Sequence, residues 1–338
     1  MQVDDNRRGN AKPPRAASAY HPSGAGTRLR FPDPERFAIG ANLPWIGYGT
    51  DVGASAWFPA GGVSTRPDAL DLLDRTLAAL AADGLSIVRT FLLCDARSGV
   101  RFDRDGIPVG LDDAVFPDID ALLAAARRHQ IRLMPVLLDF HLCGRPRIAD
   151  GVQLGGRTNL IVQPDARQAF VDLVLRPIVE RYGDDEAIAA WDVMNEPEWC
   201  LAGGPLGRRR RVGFDMLQGF LGEVVACVRA SARHPVTIGC ATTARLDLVR
   251  PLGLDFHQVH WYENFGWPAL EQPVSELGLG GAPIILGEFP GRTSAVTRVL
   301  DTARRAGYAA ALVWSVLSED DQSAYPPDLA EWARANAD

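Results

Sequence analysis

The sequence predicts one α/β domain that folds as a closed (β/α)8 barrel, and three observations point to this fold class. Eight short apolar segments have the character of strands, and amphipathic helical patterns lie between several of them. The strands are apolar throughout, which is typical of parallel strands that helices cover from outside. A length of 338 residues is ordinary for a barrel in which eight strand–helix units close on themselves.

The predicted strands define the barrel. In chain order they are predicted at Phe37–Ala41, Ile87–Leu92, Arg132–Leu138, Ala189–Met194, Val236–Cys240, Phe256–His260, Pro283–Gly287 and Ala310–Val316. Helices are predicted where apolar residues recur every three or four positions, as Leu73, Leu77 and Leu80 do. The helical segments are Ala69–Asp83, Asp118–His129, Gln168–Tyr182, Phe214–Ala232 and Ala295–Ala306.

The N-terminal segment differs in composition from the rest. Residues 1–35 are rich in Arg, Gly, Pro, Ala and Ser, which predicts a flexible tail ahead of a barrel domain over 36–338. The tail lacks the apolar block of a secretory signal, and no apolar run approaches the length that spans a membrane. We therefore expect a cytoplasmic protein, or a secreted one if a signal peptide has been removed.

Charge and cysteine spacing exclude several classes of protein. The formal net charge of −7 argues against a nucleic-acid binder, which needs a basic face. The five cysteines are scattered without the spacing of a metal site, and the histidines are dispersed as well. A glycine-rich run, Gly278–Gly281, precedes a predicted strand instead of following one, so it does not match a dinucleotide-binding loop. The sequence therefore predicts neither a metal ion nor an organic cofactor.

Polar or hydrogen-bonding side chains lie at the C-terminal ends of seven of the eight predicted strands. In a (β/α)8 barrel these ends and the loops after them form the catalytic face. Two of the ends carry a glutamate, Glu196 in an Asn-Glu-Pro run and Glu288 after a buried strand. Two carboxyls at one face suit glycoside chemistry, in which one gives a proton and the other attacks the sugar.

The combination of Arg89, Asp139-x-His141, Asn195-Glu196-Pro197, His260-x-Tyr262, Glu288 and Trp314 resembles the strand-end signature of clan A glycoside hydrolases, most closely family 5, the cellulase and mannanase type. The resemblance extends from about Phe37 to the C-terminus. It implies a retaining hydrolase of β-linked glycosides that works by double displacement. Glu196 then corresponds to the acid/base, and Glu288 to the nucleophile.

The chemistry of the residues assigns further roles at this face. Arg89 and Tyr262 are suited to keep Glu288 ionised, and burial or the Glu288 charge is expected to raise the pKa of Glu196. Asn195 is expected to bond the sugar 2-hydroxyl. The remaining candidate substrate-binding residues are His141 and His260, which orient groups at the cleavage point, Trp314, which lies beneath the sugar ring, and Asn42 and Trp45 after the first strand. Loop aromatics that are candidates for stacking on sugars are Trp57, Phe58, Trp199, Trp261 and Trp267.

The expected partner is an oligosaccharide or glycoside, with β-mannosides and β-glucosides favoured, and not nucleic acid or a membrane. The long loop Leu43–Thr65 favours short substrates or exo-action because it is placed to wall off one end of a cleft. Two alternatives stay open. One is a transglycosylase that uses the same glutamates, and the other is a non-catalytic sugar-binding barrel. The sequence leaves the oligomeric state undetermined.

Overall fold

A computed structural model describes residues 31–33, 36–202, 212–263, 269–292, 295–317 and 320–336 of the chain. Most of the predicted tail, residues 1–30 with 34 and 35, lies outside the described residues, and so do Trp267 and the arginine run 208–211. No helix in the described ranges is both long and apolar enough to cross a membrane.

Eight parallel strands close into a barrel, which confirms the predicted fold class. The barrel begins with β1 (Ala38–Asn42). The strands that follow in barrel order are β2 (Ile87–Phe91), β5 (Arg132–Asp139), β8 (Trp191–Asn195), β9 (Val236–Cys240), β10 (His257–His260), β11 (Ile284–Pro290) and β12 (Ala310–Trp314). β12 pairs with β1 and closes the barrel. The bounds differ from the prediction by a few residues. β11 runs past Glu288 to Pro290, with a shift of register against β12 between Leu286 and Phe289.

Helices surround the barrel, and the five predicted ones are present. They are α1 (Pro67–Ala82), α2 (Val115–Arg128), α4 (Pro164–Phe170) with α5 (Arg176–Tyr182), α6 (Phe214–Ser231) and α7 (Val296–Ala306). A π-helical turn, Val171–Leu175, joins α4 to α5, so the predicted helix Gln168–Tyr182 begins earlier and is irregular in the middle. Two helices were not predicted from the sequence, the short α3 (Asn159–Val162) and the last one, α8 (Pro327–Ala335).

Two antiparallel hairpins leave the barrel at its catalytic face, and neither was predicted. β3 (Val100–Phe102) pairs with β4 (Pro108–Leu111), and β6 (Arg147–Ala149) pairs with β7 (Val152–Leu154). Their strands are only three or four residues long and partly exposed, so their sequences carry no sustained alternation of apolar and polar residues.

The barrel interior changes from apolar to polar along its axis. The lower part is filled by apolar side chains that include Phe31, Ile87, Met134 and Phe256. Above them lie fully buried polar side chains, namely Arg89, Asp192, Thr237 and Gln258. A buried polar group costs free energy unless it is hydrogen-bonded, so this polar layer requires an ordered set of partners.

The loop between β1 and α1 is held to the barrel by Asp118 of α2. This carboxylate is fully buried and accepts hydrogen bonds from the backbone amides of Gly53 and Gly62, both at 2.8 Å. It also accepts from the amide and the hydroxyl of Ser64, at 2.8 and 2.5 Å. Asp118 therefore anchors the second half of a loop whose first half carries Trp45 and Tyr48 at the cleft.

We expect Asp118→Ala to lower the midpoint of thermal unfolding by roughly 4–8 °C, because several buried donors lose their acceptor. Calorimetry or circular dichroism measures this shift. The matched control is Asp113→Ala, at an exposed position of the same segment, which should leave the midpoint within about 1 °C of the parent. Equal midpoints for the two variants would show that Asp118 does not anchor the loop.

Candidate active site

The Arg89 guanidinium is the centre of the site, and its side chain is fully buried. Nε donates to Asp192 Oδ2 at 2.9 Å, and Nη2 donates to Asn195 Oδ1 at 2.8 Å. Nη1 donates to Glu288 Oε1 at 2.6 Å and to Asn42 Oδ1 at 3.1 Å. One side chain from β2 thus joins residues of β1, β8 and β11 above the polar layer of the barrel.

Glu288 is held from both sides at the end of β11. Arg89 bonds one of its carboxylate oxygens, and the Tyr262 hydroxyl donates to the other at 2.7 Å. Burial raises the pKa of Glu288, while the Arg89 charge and the hydrogen bond from Tyr262 act in the opposite direction. Burial and the Glu288 charge raise the pKa of Tyr262 well above its usual value, so this phenol keeps its proton and remains a donor.

Glu196 is aimed into the cleft by an unusual backbone conformation. Its φ of 47° and ψ of 51° lie in the left-handed region, which costs of order 1 kcal/mol for a residue with a side chain. Its amide donates to the Gly239 carbonyl of the neighbouring strand at 2.7 Å. Oε2 accepts from Trp199 Nε1 at 2.9 Å, and Oε1 lies 2.8 Å from His260 Nδ1.

The environment of Glu196 favours its protonated form. Burial, and secondly the charge of Asp139, raise the pKa of Glu196 to about 7. The direction agrees with the sequence prediction, but the second cause is Asp139 and not the Glu288 charge that we expected. A carboxyl with this pKa carries a proton over much of the range below neutrality.

His260 lies between the two glutamates and is neutral. Burial lowers its pKa to about 4, and Nδ1 is also 3.4 Å from Glu288 Oε2. A neutral imidazole donates to a carboxylate or accepts from a carboxylic acid, so the contact with Glu196 persists in both protonation states. Gly239 lacks a side chain where a Cβ would lie 2.9 Å from Arg89 Nη2 and 3.0 Å from His260 Nε2. Glycine at this position therefore leaves room for the Arg89 guanidinium and the His260 imidazole.

Oxygen and nitrogen atoms of Glu196, His260 and Glu288 lie within 4.8 Å of one another, so the carboxyl groups face each other. Such a cluster is also a possible metal-binding set. However, the 2.8 Å between His260 Nδ1 and Glu196 Oε1 is a hydrogen-bond distance, shorter than the roughly 3.3 Å that separates two ligands of a tetrahedral zinc ion. The residues contact each other directly and do not need a bridging cation. The expectation of a site without metal or cofactor stays a prediction.

A cleft of about 1300 Å³ opens above the glutamates, and aromatic rings form one of its walls. Trp45 packs edge-on against Tyr48, Phe91 and Trp314, with ring centroids 4.9, 5.5 and 5.9 Å apart. Trp314 Nε1 donates to Asp320 Oδ2 at 3.1 Å, which fixes the orientation of the indole. These flat apolar faces suit the C–H faces of sugar rings.

The structure divides the predicted site residues into two groups. Five of the predicted substrate-binding residues line the cleft with Glu196 and Glu288: Trp45, His141, Asn195, Tyr262 and Trp314. The other three, Asn42, Arg89 and His260, are fully buried and do not line it. Asn42 Nδ2 donates to the Gly287 and Val313 carbonyls at 3.0 and 3.2 Å. Arg89 bonds Glu288 and His260 contacts both carboxyls, which are the holding and orienting roles expected of them, whereas Asn42 bonds the backbone of two strands. That these three residues also bind substrate stays a prediction.

Several cleft residues were missed by the sequence analysis. Tyr48 donates to Asp139 Oδ2 at 2.5 Å, and Asn195 Nδ2 donates to Asp139 Oδ1 at 3.0 Å. Arg97 lies on the cleft wall with its guanidinium 4.4 Å from the centre of the Tyr48 ring. Both Tyr48 and Arg97 lie in irregular loops, where no spacing rule marks them. Of the loop aromatics, Trp199 lines the cleft, whereas Trp57, Phe58 and Trp261 do not.

Glu198, close to the acid/base candidate, is buried and is not a cleft residue. Its Oε1 accepts from the Thr242 amide at 3.2 Å. Burial, and secondly the Glu196 charge, raise the pKa of Glu198 to about 8, which favours its protonated form at neutral pH. Its role is to join the turn after β8 to the loop after β9.

Comparisons with known proteins point in one direction. No family profile matches the chain. A mannan endo-1,4-beta-mannosidase from Mytilus edulis is 30% identical over 174 residues, which are 52% of this chain and 43% of that protein. The resemblance to glycoside hydrolases of the family 5 type is confirmed. The chain spans less than half of the length of this curated relative.

Solved structures share the fold at lower identity. An endo-1,4-beta-mannanase from Eisenia fetida superposes with a TM-score of 0.73 and 21% identity, over 90% of this chain and 91% of the other. A beta-1,4-D-mannanase from Cryptopygus antarcticus gives a TM-score of 0.74 and 18% identity, over 89% and 90%. At these identities the likeness concerns the (β/α)8 barrel.

We expect Glu196 to titrate with a pKa of about 7, and Asp139→Asn to lower that pKa because a negative charge is removed. Carbon-13 NMR of carboxyl-labelled glutamate measures both values, with Glu196→Gln to assign the signal. The control is Asp150→Asn, which changes an exposed carboxylate at the turn of the β6–β7 hairpin and should leave the titration unchanged. An unchanged pKa in Asp139→Asn would remove Asp139 as a cause of the shift.

Proposed function

We propose that the chain is a retaining β-glycoside hydrolase that acts on β-1,4-linked manno-oligosaccharides by double displacement. The observation that carries the proposal is the pair Glu196 and Glu288. One carboxyl oxygen of Glu196 lies within 4.8 Å of one of Glu288, burial raises the pKa of Glu196 to about 7, and the Glu288 carboxylate is bonded by Arg89 and Tyr262. Retaining glycosidases place their two carboxyls about 5–5.5 Å apart, whereas inverting enzymes need about 6.5–9.5 Å to admit a water.

In the first step, Glu288 attacks the anomeric carbon and forms a covalent glycosyl–enzyme ester. At the same time Glu196 gives its proton to the leaving glycosidic oxygen, so the aglycone departs as a neutral alcohol. Glu288 loses its negative charge when the ester forms. The positive charge of Arg89 is then balanced by Asp192, to which Arg89 Nε donates at 2.9 Å.

In the second step, Glu196 is ionised and acts as a base. It takes a proton from a water that attacks the same anomeric carbon, and Glu288 leaves as a carboxylate. The hydrogen bonds from Arg89 and Tyr262 stabilise that carboxylate. Two inversions give net retention, and Glu196 recovers its proton for the next cycle. Asn195, bonded to Asp139 and to Arg89, is oriented to bind the 2-hydroxyl of the sugar.

The proposed substrate follows from the comparisons and the cleft. The Mytilus edulis relative is a mannan endo-1,4-beta-mannosidase, and the two structural neighbours are mannanases. A cleft of about 1300 Å³ exceeds what one sugar unit fills, since a monosaccharide displaces on the order of 200 Å³. This volume supports binding of several linked sugars and therefore endo-action, in place of the short substrates that the loop Leu43–Thr65 suggested.

We expect Glu196→Gln and Glu288→Gln to lower kcat on a β-1,4-manno-oligosaccharide by at least about a thousandfold each, because each variant removes one half of the chemistry. Both should fold normally. Azide should restore cleavage of an activated aryl β-mannoside in the alanine variants, with a β-azide from Glu196→Ala and an α-azide from Glu288→Ala. The buried carboxyl Glu198→Gln is the matched control, and it should retain most activity. Turnover close to that of the parent in either catalytic variant would contradict the assignment.

The pH profile should be bell-shaped. Glu196 must be protonated to act as the acid, so the rate falls as pH rises through about 7. Glu288 must be ionised to attack, so the rate falls as pH drops through its pKa, which burial places above the usual value of glutamate. Values of kcat/KM, obtained from initial rates between pH 3 and pH 9, measure both limbs of the profile. A rate that stays constant from pH 6 to 9 would mean that Glu196 is not the acid.

Activity should survive a chelator, because the two carboxyls supply both proton transfer and nucleophilic attack. Dialysis against EDTA, followed by assay on the same oligosaccharide with and without Mg²⁺, Ca²⁺, Mn²⁺ or Zn²⁺, measures this. Loss of activity that one of these ions restores would contradict the mechanism.

A further inference from the structure

The cleft carries a basic wall that the proposed hydrolysis does not require. Arg97, Arg145 and Arg147 all line the same cavity as the two glutamates, in a chain whose formal net charge is −7. Arg97 is paired, since its Nε and Nη2 donate to the two oxygens of Asp95 at 2.8 and 2.9 Å. Its charge is therefore used within the protein.

Arg145 and Arg147, which we call the arginine pair, are different. Within the described ranges neither side chain has a hydrogen bond or an ion pair, and both residues are exposed. An exposed arginine on an ordinary surface needs no explanation. Two of them on the wall of a substrate cleft, separated by one proline and without a carboxylate partner in the described chain, place uncompensated positive charge where a ligand lies.

The backbone beneath the arginine pair is firmly held. The Gly144 amide donates to the His141 carbonyl at 2.8 Å, and the Gly156 amide donates to the Gly144 carbonyl at 2.9 Å. The Gly155 amide donates to Asp95 at 2.8 Å. A Cβ on Gly156 would lie 2.3 Å from Pro146 Cβ, so the proline between the two arginines packs directly on the chain that follows β7. The pair is presented by a rigid base, although its side chains are free.

We propose that the arginine pair forms a subsite for one carboxylate of the substrate, as a uronic acid branch on a neutral mannan backbone supplies. Guanidinium groups match the planar, two-oxygen geometry of a carboxylate. The inference rests on the proposed function, because it names a substituent of that same substrate.

The acidic residues elsewhere in the cleft indicate that the substrate carries a single carboxylate and not a row of them. Asp139, Glu288, Asp320 and Asp321 also line the cavity, so a chain of uronic acids would place negative charge against negative charge. A single acidic branch brings one negative charge to the arginine pair and adds none along the rest of the cleft. Charge repulsion therefore disfavours polyuronides as substrates and favours a neutral glycan with one acidic substituent.

The test compares two matched oligosaccharides, a β-1,4-manno-oligosaccharide with one uronic acid branch and the same molecule with that carboxyl reduced to an alcohol. We expect kcat/KM to favour the acid by about five- to twentyfold at low salt, since exposed pairs contribute roughly two- to fivefold each. The ratio should fall toward one in 1 M NaCl and in the double variant Arg145→Gln/Arg147→Gln. Arg104→Gln, an exposed arginine on the other hairpin and away from the cleft, should keep the ratio of the parent.

A second measurement separates this proposal from the hydrolase assignment. Calorimetry on the Glu196→Gln variant gives the affinities for the acid and for its reduced form without turnover. Equal affinities with the arginine pair intact would overturn the carboxylate subsite, even if neutral mannan is cleaved. If the parent protein cleaved no oligosaccharide but still bound the acid more tightly than its reduced form, the hydrolase assignment would be contradicted and the carboxylate subsite would be supported.

Discussion

The buried guanidinium of Arg89 is the constraint on which the rest of the structure depends. Removing a charge from water costs several kcal/mol, and the cost is offset only when partners with good geometry surround it. Asp192, Asn195, Glu288 and Asn42 supply those partners from three different strands. The barrel must close with these strands in register for the charge to be satisfied. The polar layer and the candidate site therefore share the same buried contacts.

Burial also sets the protonation of the site. The same exclusion of water raises the pKa of Glu196 to about 7 and lowers that of His260 to about 4. Burial raises the pKa of Glu288 as well, but Arg89 and Tyr262 both bond its oxygens and act against that shift. Glu196 is therefore protonated over much of the range below neutrality, while its neighbour, with one carboxyl oxygen within 4.8 Å, has donors for its charge. This asymmetry is what a proton donor and a nucleophile require of two identical side chains.

The sequence predicted the barrel and the two glutamates because both follow local rules. Apolar runs mark parallel strands, and functional residues lie at their C-terminal ends. The features that the sequence did not predict depend on contacts that form only in the folded barrel. Asn42 has the position of a contact residue, but its amide is used to hold β11 and β12. Tyr48 and Arg97 lie in loops that contacts between residues far apart in the chain hold in place, such as Tyr48 with Asp139 and Gly155 with Asp95.

The central claim is that Glu288 and Glu196 act as nucleophile and acid/base, with one carboxyl oxygen of each within 4.8 Å of the other and thus closer than the roughly 6.5–9.5 Å of inverting enzymes. The configuration of the first-formed product tests this most directly. Proton NMR during the first minutes of cleavage of a β-1,4-manno-oligosaccharide resolves the anomeric signals before mutarotation equilibrates them. The structure predicts that the β-anomer appears first. Initial accumulation of the α-anomer would show single displacement by water and would contradict the account.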